Sequence, residues 1–332
     1  MPASSELQPP AEFAAVEPFT DIDLPLPDRR DGKVRVSFSL DSSTRLFVTT
    51  DRLSAFDRIL AGVPYKGQVL NELSAWWFWR TSDLVANHAL STPDPNLLVA
   101  RAAGPLPVEV VVRGFITGVT DTSLWQRYAA GARVIDGYRL PDGLTKNSAL
   151  ASPIVTPTTK GASGAHDVPL SCADVVDRGL VEPALWDDVT AAALAVFARG
   201  QQLAAGAGLI LADTKYEFGL DAAGKLMLID ELHTPDSSRF WLAEGYEARL
   251  AAGEEPESLD KEVVRRAYTD AGYRGDGPPP DVGADVWTST SDRYIDAYRR
   301  LTGEPFEPGS YPVEIRIRHW LDTYAREAGG KT

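Results

Sequence analysis

The sequence predicts a mixed α+β protein, and three features indicate this class. Alternation of apolar and polar residues over "KVRVSFSL" (33–40) and "RLFVTT" (45–50) predicts two strands joined by a hairpin loop at 41–44. The apolar run "PVEVVVRGFITG" (107–118) predicts a buried strand. The segment "EPALWDDVTAAALAVFARGQQLAAGAG" (182–208) has proline near its start and glycines at its end, so it predicts a long helix.

Other segments fill the chain around these elements. Residues 1–30 are rich in proline, alanine and acidic residues and lack periodicity, which predicts a tail. The segment "LNELSAWWFWRTSDLV" (70–85) has apolar residues at helical spacing and predicts a helix. Four prolines between 118 and 171 favour a long irregular stretch. Ser171 with Asp174 predicts the N-cap of a further helix.

The composition excludes several classes of function. The chain has 332 residues, 44% of them hydrophobic, with a formal net charge of −14. This charge argues against a general nucleic-acid binder or a protein that binds acidic membranes. The single cysteine excludes an internal disulfide and favours a reducing compartment, and no uninterrupted apolar run reaches membrane-spanning length. We therefore expect a soluble, cytoplasmic protein.

Charged residues at every second position mark a strand predicted over 209–220. The alternation places Asp213, Lys215 and Glu217 on one face, with uncharged residues on the other. The segment "DAAG" (221–224) follows directly and predicts a four-residue hairpin loop whose glycine adopts a positive φ.

This hairpin predicts the register of the next strand. Pairing Leu220 with Lys225 places Lys215 opposite Asp230 on the same face. Glu231 then points away unless a bulge intervenes. Three carboxylates around one lysine form an oxygen-rich site suited to Mg²⁺ and a nucleotide phosphate. The alternative is a solvated sheet face with weak cross-strand salt bridges.

The segment that follows favours a binding site over a solvated face. In "HTPDSSRFW" (233–241), Pro235 fixes a turn and the next three residues offer short polar side chains. Arg239 then supplies a planar, bidentate donor for phosphate or carboxylate.

Several segments together resemble one known family. They are "GKVR" (32–35), "TDRLSAFDRIL" (50–60), "PYKGQVLNELSAWWF" (64–78), "VVRGFITG" (111–118), "TDTSLWQRY" (120–128), "TPTTKGASGAHDVPLS" (156–171), "ADTKYEFG" (212–219) and "DELHTPDSSRFW" (230–241). In this order they resemble the SAICAR synthetase (phosphoribosylaminoimidazole-succinocarboxamide synthase) family, from about residue 32 to the C-terminus.

The resemblance implies a fold and a reaction. After a tail at 1–30, a small β-rich domain (31–106) would cover the nucleotide, and an ATP-grasp-related α+β domain with helical C-terminal segments (107–332) would carry the chemistry. ATP would activate the carboxylate of carboxyaminoimidazole ribonucleotide as an acyl phosphate, which the amine of L-aspartate attacks. Mg²⁺ would assist because charge grows on the transferred phosphoryl group. The sequence has no GxxxxGK[ST] loop, so other elements would bind the phosphates.

The resemblance also implies roles for individual residues. Contacts to ATP would come from Lys33, Glu217 and Asp230, the last two also holding Mg²⁺. The ribonucleotide would contact Arg113, Ser123, Ser238 and Arg239. Catalytic positions, in contact with substrate or a phosphate, would be Lys160, Asp167, Lys215 and Asp236.

The chain departs from the family pattern at three positions. Val36 replaces an acidic residue, Val119 replaces a serine, and Ala165 replaces an acidic residue before "HD". Ser123, four residues after Val119, is an alternative equivalent of the missing serine.

Three functions are compatible with these observations. The first is the purine-pathway ligase, with an azole ribonucleotide and L-aspartate as partners and with neither nucleic acid nor membrane. The second is a diverged paralogue in nucleoside-antibiotic biosynthesis that acts on a related azole ribonucleotide. The third is a non-catalytic nucleotide-binding protein, which the retained lysines, carboxylates and arginine disfavour.

Overall fold

The computed structural model describes residues 16–56, 58–120, 122–160 and 168–329. The strands are β1 (Arg30–Asp31), β2 (Arg35–Ser39), β3 (Thr44–Thr49), β4 (Arg52–Ala55), β5 (Arg58–Gly62), β6 (Ala89–Asp94), β7 (Leu97–Arg101), β8 (Gly104–Phe115), β9 (Val134–Ile135), β10 (Tyr138–Arg139), β11 (Ala149–Thr159), β12 (Leu209–Leu220), β13 (Leu226–Ile229) and β14 (Ser238–Leu242). The helices are α1 (Lys66–Arg80), α2 (Leu124–Ala129), α3 (Cys172–Asp177), α4 (Pro183–Gly206), α5 (Tyr246–Ala252), α6 (Glu262–Asp270), α7 (Ala284–Thr302) and α8 (Val313–Gly329). The predicted α+β class is confirmed.

An antiparallel sheet in the order β1-β2-β3-β7-β6 forms the N-terminal part of the structure. The hairpin loop predicted at 41–44 joins β2 and β3, and the Asp41 carboxylate accepts hydrogen bonds from the amides of Ser43 and Thr44 at 2.7 and 2.9 Å. Helix α8 packs its apolar residues against one face of this sheet. The C-terminal helix therefore completes the core of the N-terminal sheet.

The expected tail is only partly described. Residues 1–15 lie outside the described ranges. Phe19, Ile22 and Leu24 are buried in the same core as α8 and the N-terminal sheet. This stretch is thus anchored by apolar burial over the body of the protein.

Strands from the middle of the sequence form a second sheet in the order β11-β8-β12-β13. Strand β14 pairs with the first half of β12 and β13 with its second half, so both lie along the edge opposite β8. Alternate residues of β8 and β12, including Val110, Val112, Tyr216 and Phe218, pack into a core with α4 and α1. The other face of these two strands carries the charged residues.

Several element predictions are confirmed, one helix is shifted along the chain, and one predicted irregular stretch is wrong. The predicted long helix and charged strand correspond to α4 and β12, and Ser171 and Asp174 form a reciprocal capping box on α3. The helix predicted over 70–85 is α1, which begins and ends earlier. The stretch 118–171 contains β11, which sequence reasoning missed because of its prolines. Since β11 is an edge strand, prolines remove no essential ladder hydrogen bond.

The predicted register of the β12–β13 hairpin is wrong by one residue. Leu220 pairs with Leu226 rather than with Lys225. The reason is local, because the Asp221 carboxylate accepts a hydrogen bond from the Lys225 amide at 2.8 Å and holds that residue within the loop. Gly224 has φ 77°, as its predicted turn position requires.

The helices of the described residues are too short or too polar for a membrane span. None of them combines the length and the apolar character needed to cross a bilayer.

Candidate active site

A cavity of about 770 Å³ lies between the N-terminal sheet and the charged face of β8 and β12. Its cationic lining residues are Arg30, Lys33, Arg35, Arg113, Lys215, Arg239, Lys261 and Arg265. Its acidic lining residues are Asp31, Glu109, Asp213, Glu217, Asp230, Glu231 and Asp236. A protein with a net charge of −14 therefore has a cavity in which cations outnumber carboxylates. This local balance suits anionic substrates.

At one end of the cavity, a carboxylate holds two arginines. Arg113 and Arg239 lie directly opposite Asp213 on the neighbouring strands, so all three side chains share one face. The Asp213 Oδ2 atom accepts hydrogen bonds from Arg239 at 2.6 Å and from Arg113 at 3.1 Å. Thr156 on β11 also accepts from Arg113, at 2.8 Å. These hydrogen bonds link side chains of β11, β8, β12 and β14 and hold the two guanidinium groups in place.

The loop before α2 brings hydroxyl groups toward this end. Ser123 is the N-cap of α2 and lines the cavity, whereas Val119 does not. Gly118 packs so tightly here that a Cβ atom would lie 2.4 Å from the Ser123 Cβ, and its φ of 111° also demands glycine. The structure therefore places Ser123, and not position 119, at the cavity wall. Thr120 and Thr122 line the same wall.

Of two neighbouring residues predicted to contact the ribonucleotide, only one lines the cavity. Arg239 faces the cavity, but Ser238 does not line it. The Ser238 hydroxyl lies 2.8 Å from the hydroxyl of Thr214, its partner across the β12–β14 pair. Ser237, one residue earlier, lines the cavity instead.

At the other end of the cavity, lysines surround Glu217. Its two carboxylate oxygens accept hydrogen bonds from Lys215 at 2.7 Å and from Lys160 at 2.6 Å. Lys215 also donates to Glu109, at 2.9 Å. Burial alone would raise the pKa of Glu217, but the two lysines outweigh it and lower that pKa to about 2. This carboxylate is therefore ionised throughout the physiological range.

Asp230 lies beside this end in an unusual backbone conformation. Its φ is 72°, which places it in the left-handed region that aspartate tolerates better than most residues. Arg35 of β2 donates to its carboxylate at 2.6 Å and lies 3.8 Å from Glu231. Glu231, which the incorrect register turned away, lines the cavity, and its buried Oε2 atom has no hydrogen-bond partner among the described residues.

Asp236 belongs to a buried cluster at the side of the cavity. Lys66, the first residue of α1, donates to one of its oxygens at 2.9 Å, and the Tyr294 hydroxyl of α7 donates to the other at 2.6 Å. Burial would raise the pKa of Asp236, yet Lys66 and Lys261 lower it to about 2. Sequence reasoning did not assign Lys66, although its motif "PYKG" was part of the resemblance.

Most of the predicted site residues come together at this cavity. Those that line it are Lys33, Arg113, Ser123, Lys215, Glu217, Asp230, Asp236 and Arg239. Lys160 reaches it through its bond to Glu217. Asp167 lies outside the described residues, as does Ala165. Val36 is fully buried in the apolar core of the N-terminal sheet and does not line the cavity.

No group of three or more acidic, histidine or cysteine side chains is placed to hold a metal ion within the part of the chain that the structure describes. Glu217 and Asp230 are single carboxylates, each bonded to a cation. Magnesium bound with a nucleotide typically uses one or two carboxylates together with phosphates and water. The carboxylates present fit that mode and not an all-protein cage.

A large cavity with many cations and strongly shifted carboxylates defines an enzyme that acts on anionic substrates. Residues 28–280 match the model of the SAICAR synthetase family. A phosphoribosylaminoimidazole-succinocarboxamide synthase of Legionella pneumophila is 46% identical, over 91% of this chain and 98% of its own length. The chain therefore belongs to the SAICAR synthetase family and is a carbon–nitrogen ligase of purine biosynthesis.

Solved structures agree with this family membership. The SAICAR synthase of Saccharomyces cerevisiae, in complex with SAICAR, has a TM-score of 0.75 and 33% identity over 87% of this chain and 99% of its own. A SAICAR synthetase in complex with ADP has a TM-score of 0.64 and 25% identity, covering 84% of this chain and all of its own.

Proposed function

We propose that the cavity binds a phosphorylated azole ribonucleotide at its Asp213 end and ATP with Mg²⁺ at its Glu217 end. The observation that carries this proposal is the separation of two cation clusters along β12. Arg113 and Arg239 flank Asp213, whereas two lysines flank Glu217. Four residues of a strand span about 13 Å, which leaves room for a nucleotide between the clusters.

The arginines would bind the 5′-phosphate of the ribonucleotide. Guanidinium groups form charge-assisted, often bidentate bonds to phosphate. Arg113 and Arg239 are already fixed side by side by Asp213, so binding costs little rearrangement. Ser123, which also lines the cavity, would add a neutral hydrogen bond. The SAICAR-bound yeast relative supports a ribonucleotide substrate at this site.

The nucleotide end would use Lys33 for a phosphate and Glu217 and Asp230 for Mg²⁺. The ADP-bound relative supports nucleotide use, and the two separate carboxylates have the chemistry that Mg²⁺ requires. When bound, Mg²⁺ would neutralise charge on the phosphates. Lys215 and Lys160 would then be released from Glu217 in part and become available to the oxygens of the reacting substrate.

The chemistry follows from the need to activate a carboxylate. An oxygen of the ribonucleotide carboxylate attacks the γ-phosphorus of ATP, the bond to ADP breaks, and an acyl phosphate forms. The amine of L-aspartate attacks the acyl carbon, the carbon–oxygen bond breaks, and phosphate leaves with that oxygen. Lysines of this end would stabilise the transferred charge. Asp236, held by Lys66 and Tyr294, would border the substrate ring or ribose, and Asp167 would meet the substrate carboxylate or aspartate.

Two further expectations belong to this proposal. Residues 31–106 would form the β-rich cover of the nucleotide and residues 107–332 the catalytic domain, with the cavity between them. The comparisons favour the purine-pathway enzyme and supply no support for a nucleoside-antibiotic paralogue or a non-catalytic binder. A cytoplasmic location stays a prediction from the single cysteine.

The test uses ¹⁸O in the carboxylate of carboxyaminoimidazole ribonucleotide. With ATP, Mg²⁺ and L-aspartate, the acyl-phosphate path requires one label to appear in inorganic phosphate. A reaction without aspartate is the control, in which turnover should fall to background. Unlabelled phosphate with normal product formation would contradict the proposal.

A further inference from the structure

Asp51 is a buried carboxylate whose hydrogen bonds join distant parts of the chain. It lies between β3 and β4 and is fully buried. Its Oδ2 atom accepts hydrogen bonds from the Phe19 amide at 2.8 Å and from the Tyr311 hydroxyl at 2.6 Å. Its Oδ1 atom accepts one from the Gly67 amide at 2.9 Å. The carboxylate therefore ties the N-terminal segment and the segment before α8 to the start of α1.

The Tyr311 hydroxyl connects Asp51 to the backbone on the other side of Lys66. It donates to Asp51 and accepts a hydrogen bond from the Tyr65 amide at 2.8 Å. Burial and the nearby carboxylate raise the pKa of Tyr311, so this hydroxyl keeps the proton that it donates. The amides of Tyr65 and Gly67, immediately before and after Lys66, therefore belong to one hydrogen-bond network.

The backbone at the start of α1 needs this support. Tyr65, the N-cap residue, has a φ of 64°, in the left-handed region that few residues other than glycine adopt. Such a conformation costs free energy and persists where the surrounding structure holds it. The first amides of a helix also lack acceptors within the helix, and Asp51 supplies one to Gly67.

Lys66 transmits the position of this backbone to the cavity. Its side chain is fully buried, and its Nζ atom donates to Asp236 at 2.9 Å. Asp236 lines the cavity, whereas Lys66, Asp51 and Tyr311 lie behind it. A buried ion pair is favourable only when its geometry is good, because both charges have lost their water. The placement of Lys66 thus determines how the Asp236 carboxylate faces the cavity.

Anchoring of the C-terminal segment does not by itself require the Tyr311 hydroxyl. Apolar residues of α8 are buried in the core of the N-terminal sheet. Gln68 of α1 also donates to the Glu307 carbonyl and accepts from the Gly309 amide, both at 2.8 Å. Loss of the hydroxyl should therefore act mainly on the start of α1.

Tyr311 lies beyond residues 28–280, which match the family model. We propose that Tyr311 is a positioning residue of the ligase. With Asp51 it fixes the backbone on both sides of Lys66, and Lys66 orients the Asp236 carboxylate toward the ribonucleotide, an assignment that rests on the proposed function. The active site thereby depends on a part of the chain that the family match does not include.

Kinetics of Tyr311→Phe test this assignment. The change removes the hydroxyl and keeps the ring, which packs edge-on against Tyr65 with the centroids 4.9 Å apart. We expect kcat/KM for the ribonucleotide to fall about tenfold, since a hydrogen bond to a charged group is lost, and KM for ATP to stay within about threefold of wild type. Tyr298→Phe is the matched control, because Tyr298 of α7 packs edge-on against Phe306, and its kinetics should equal those of wild type.

A double-variant cycle separates positioning from a general structural role. If Tyr311 acts through Lys66, adding Tyr311→Phe to Lys66→Met should cause no further loss of kcat/KM, because the link is already broken. Independent effects on the structure would instead make the two losses multiply. If Lys66→Met does not fold, Asp236→Asn replaces it in the cycle with the same expectation. Urea denaturation of each variant checks that the kinetics refer to folded protein.

Failure of this assignment is distinguishable from failure of the proposed function. Losses that multiply, an unchanged kcat/KM in Tyr311→Phe, or a change confined to the KM for ATP would overturn the role of Tyr311. Wild-type transfer of ¹⁸O to phosphate would still support the proposed function in each of these cases. Unlabelled phosphate from the wild-type protein would overturn the proposed function itself.

Discussion

Arg239 donates to the Oδ2 atom of Asp213 at 2.6 Å from the position directly opposite it in the β12–β14 pair. Arg113 approaches the same oxygen from β8 on the other side. Two guanidinium groups repel each other unless an anion lies between them. The buried carboxylate, 4% exposed, therefore keeps both arginines in place before any substrate arrives.

Asp213→Asn should weaken ribonucleotide binding and the fold together. The amide keeps the shape of the side chain but loses the charge that offsets the two arginines. We expect the free energy of unfolding to fall by about 2–4 kcal/mol and the ribonucleotide KM to rise by about tenfold or more. Urea denaturation and steady-state kinetics measure both. Asp188→Asn, an exposed site on α4, is the control, and equal effects in the two variants would contradict the role of Asp213.

Asp230→Asn should separate catalysis from folding. Asparagine tolerates the left-handed conformation at this position, so the backbone should persist. Loss of the carboxylate removes a proposed Mg²⁺ ligand, and turnover should fall by about 100-fold or more. Asp230→Ala adds backbone strain and should also lower the free energy of unfolding. Wild-type turnover and an unchanged Mg²⁺ dependence in Asp230→Asn would rule out the metal role.

The sequence predicts the strand-level layout of the site better than its ion pairing. Period-two alternation correctly places Asp213, Lys215 and Glu217 on one face, because side-chain direction in a strand depends only on local geometry. The β12–β13 register depends on one side-chain hydrogen bond, from the Lys225 amide to Asp221, which alternation does not encode.

Residues that reach the cavity from distant parts of the chain are harder to predict. Arg35 meets Asp230 across 195 positions and Lys66 meets Asp236 across 170. Both lie in motifs that support the family resemblance, but no spacing rule connects them to their partners. That Lys261 has no ion pair with any of the described residues is visible only once the neighbouring side chains are in place.

The ion pairs of Glu217 predict a loss of stability in acid. Its pKa is about 2 in the folded protein and 4.5 in the absence of neighbours, so the unfolded state binds the proton more tightly. The contribution of Glu217 to stability is therefore full above pH 4.5 and declines as the pH falls toward 2. The free energies of unfolding of wild type and Glu217→Gln should differ most near neutral pH and converge below pH 4.5. Urea titrations between pH 3 and 7 measure this, and a constant difference would contradict the assignment.

Lys261 also predicts a free energy of unfolding that rises with pH, here in the basic range. Its pKa is about 8 in the folded protein and 10.5 in the absence of neighbours, so the unfolded state binds more protons between these values. Burial is the largest cause of the lowered pKa; Arg265 and Lys66 also lower it, whereas Asp236 and Glu231 raise it.

The free energy of unfolding of the wild-type protein should therefore increase as the pH rises from about 8 to 10.5. The reason is that Lys261 loses its proton at a lower pH in the folded state than in the unfolded state. Lys261→Met has no charge to bury at this position, so its free energy of unfolding lacks this dependence on pH. The variant should be more stable than wild type at pH 7, and the difference should shrink as the pH approaches 10.5. Urea denaturation of both proteins at intervals from pH 7 to 10 measures this trend, with Lys225→Met as the control for loss of an exposed lysine. A difference between Lys261→Met and wild type that stays constant across this range would show that Lys261 has an ordinary pKa, and its charge would then not be held at a cost in the folded protein.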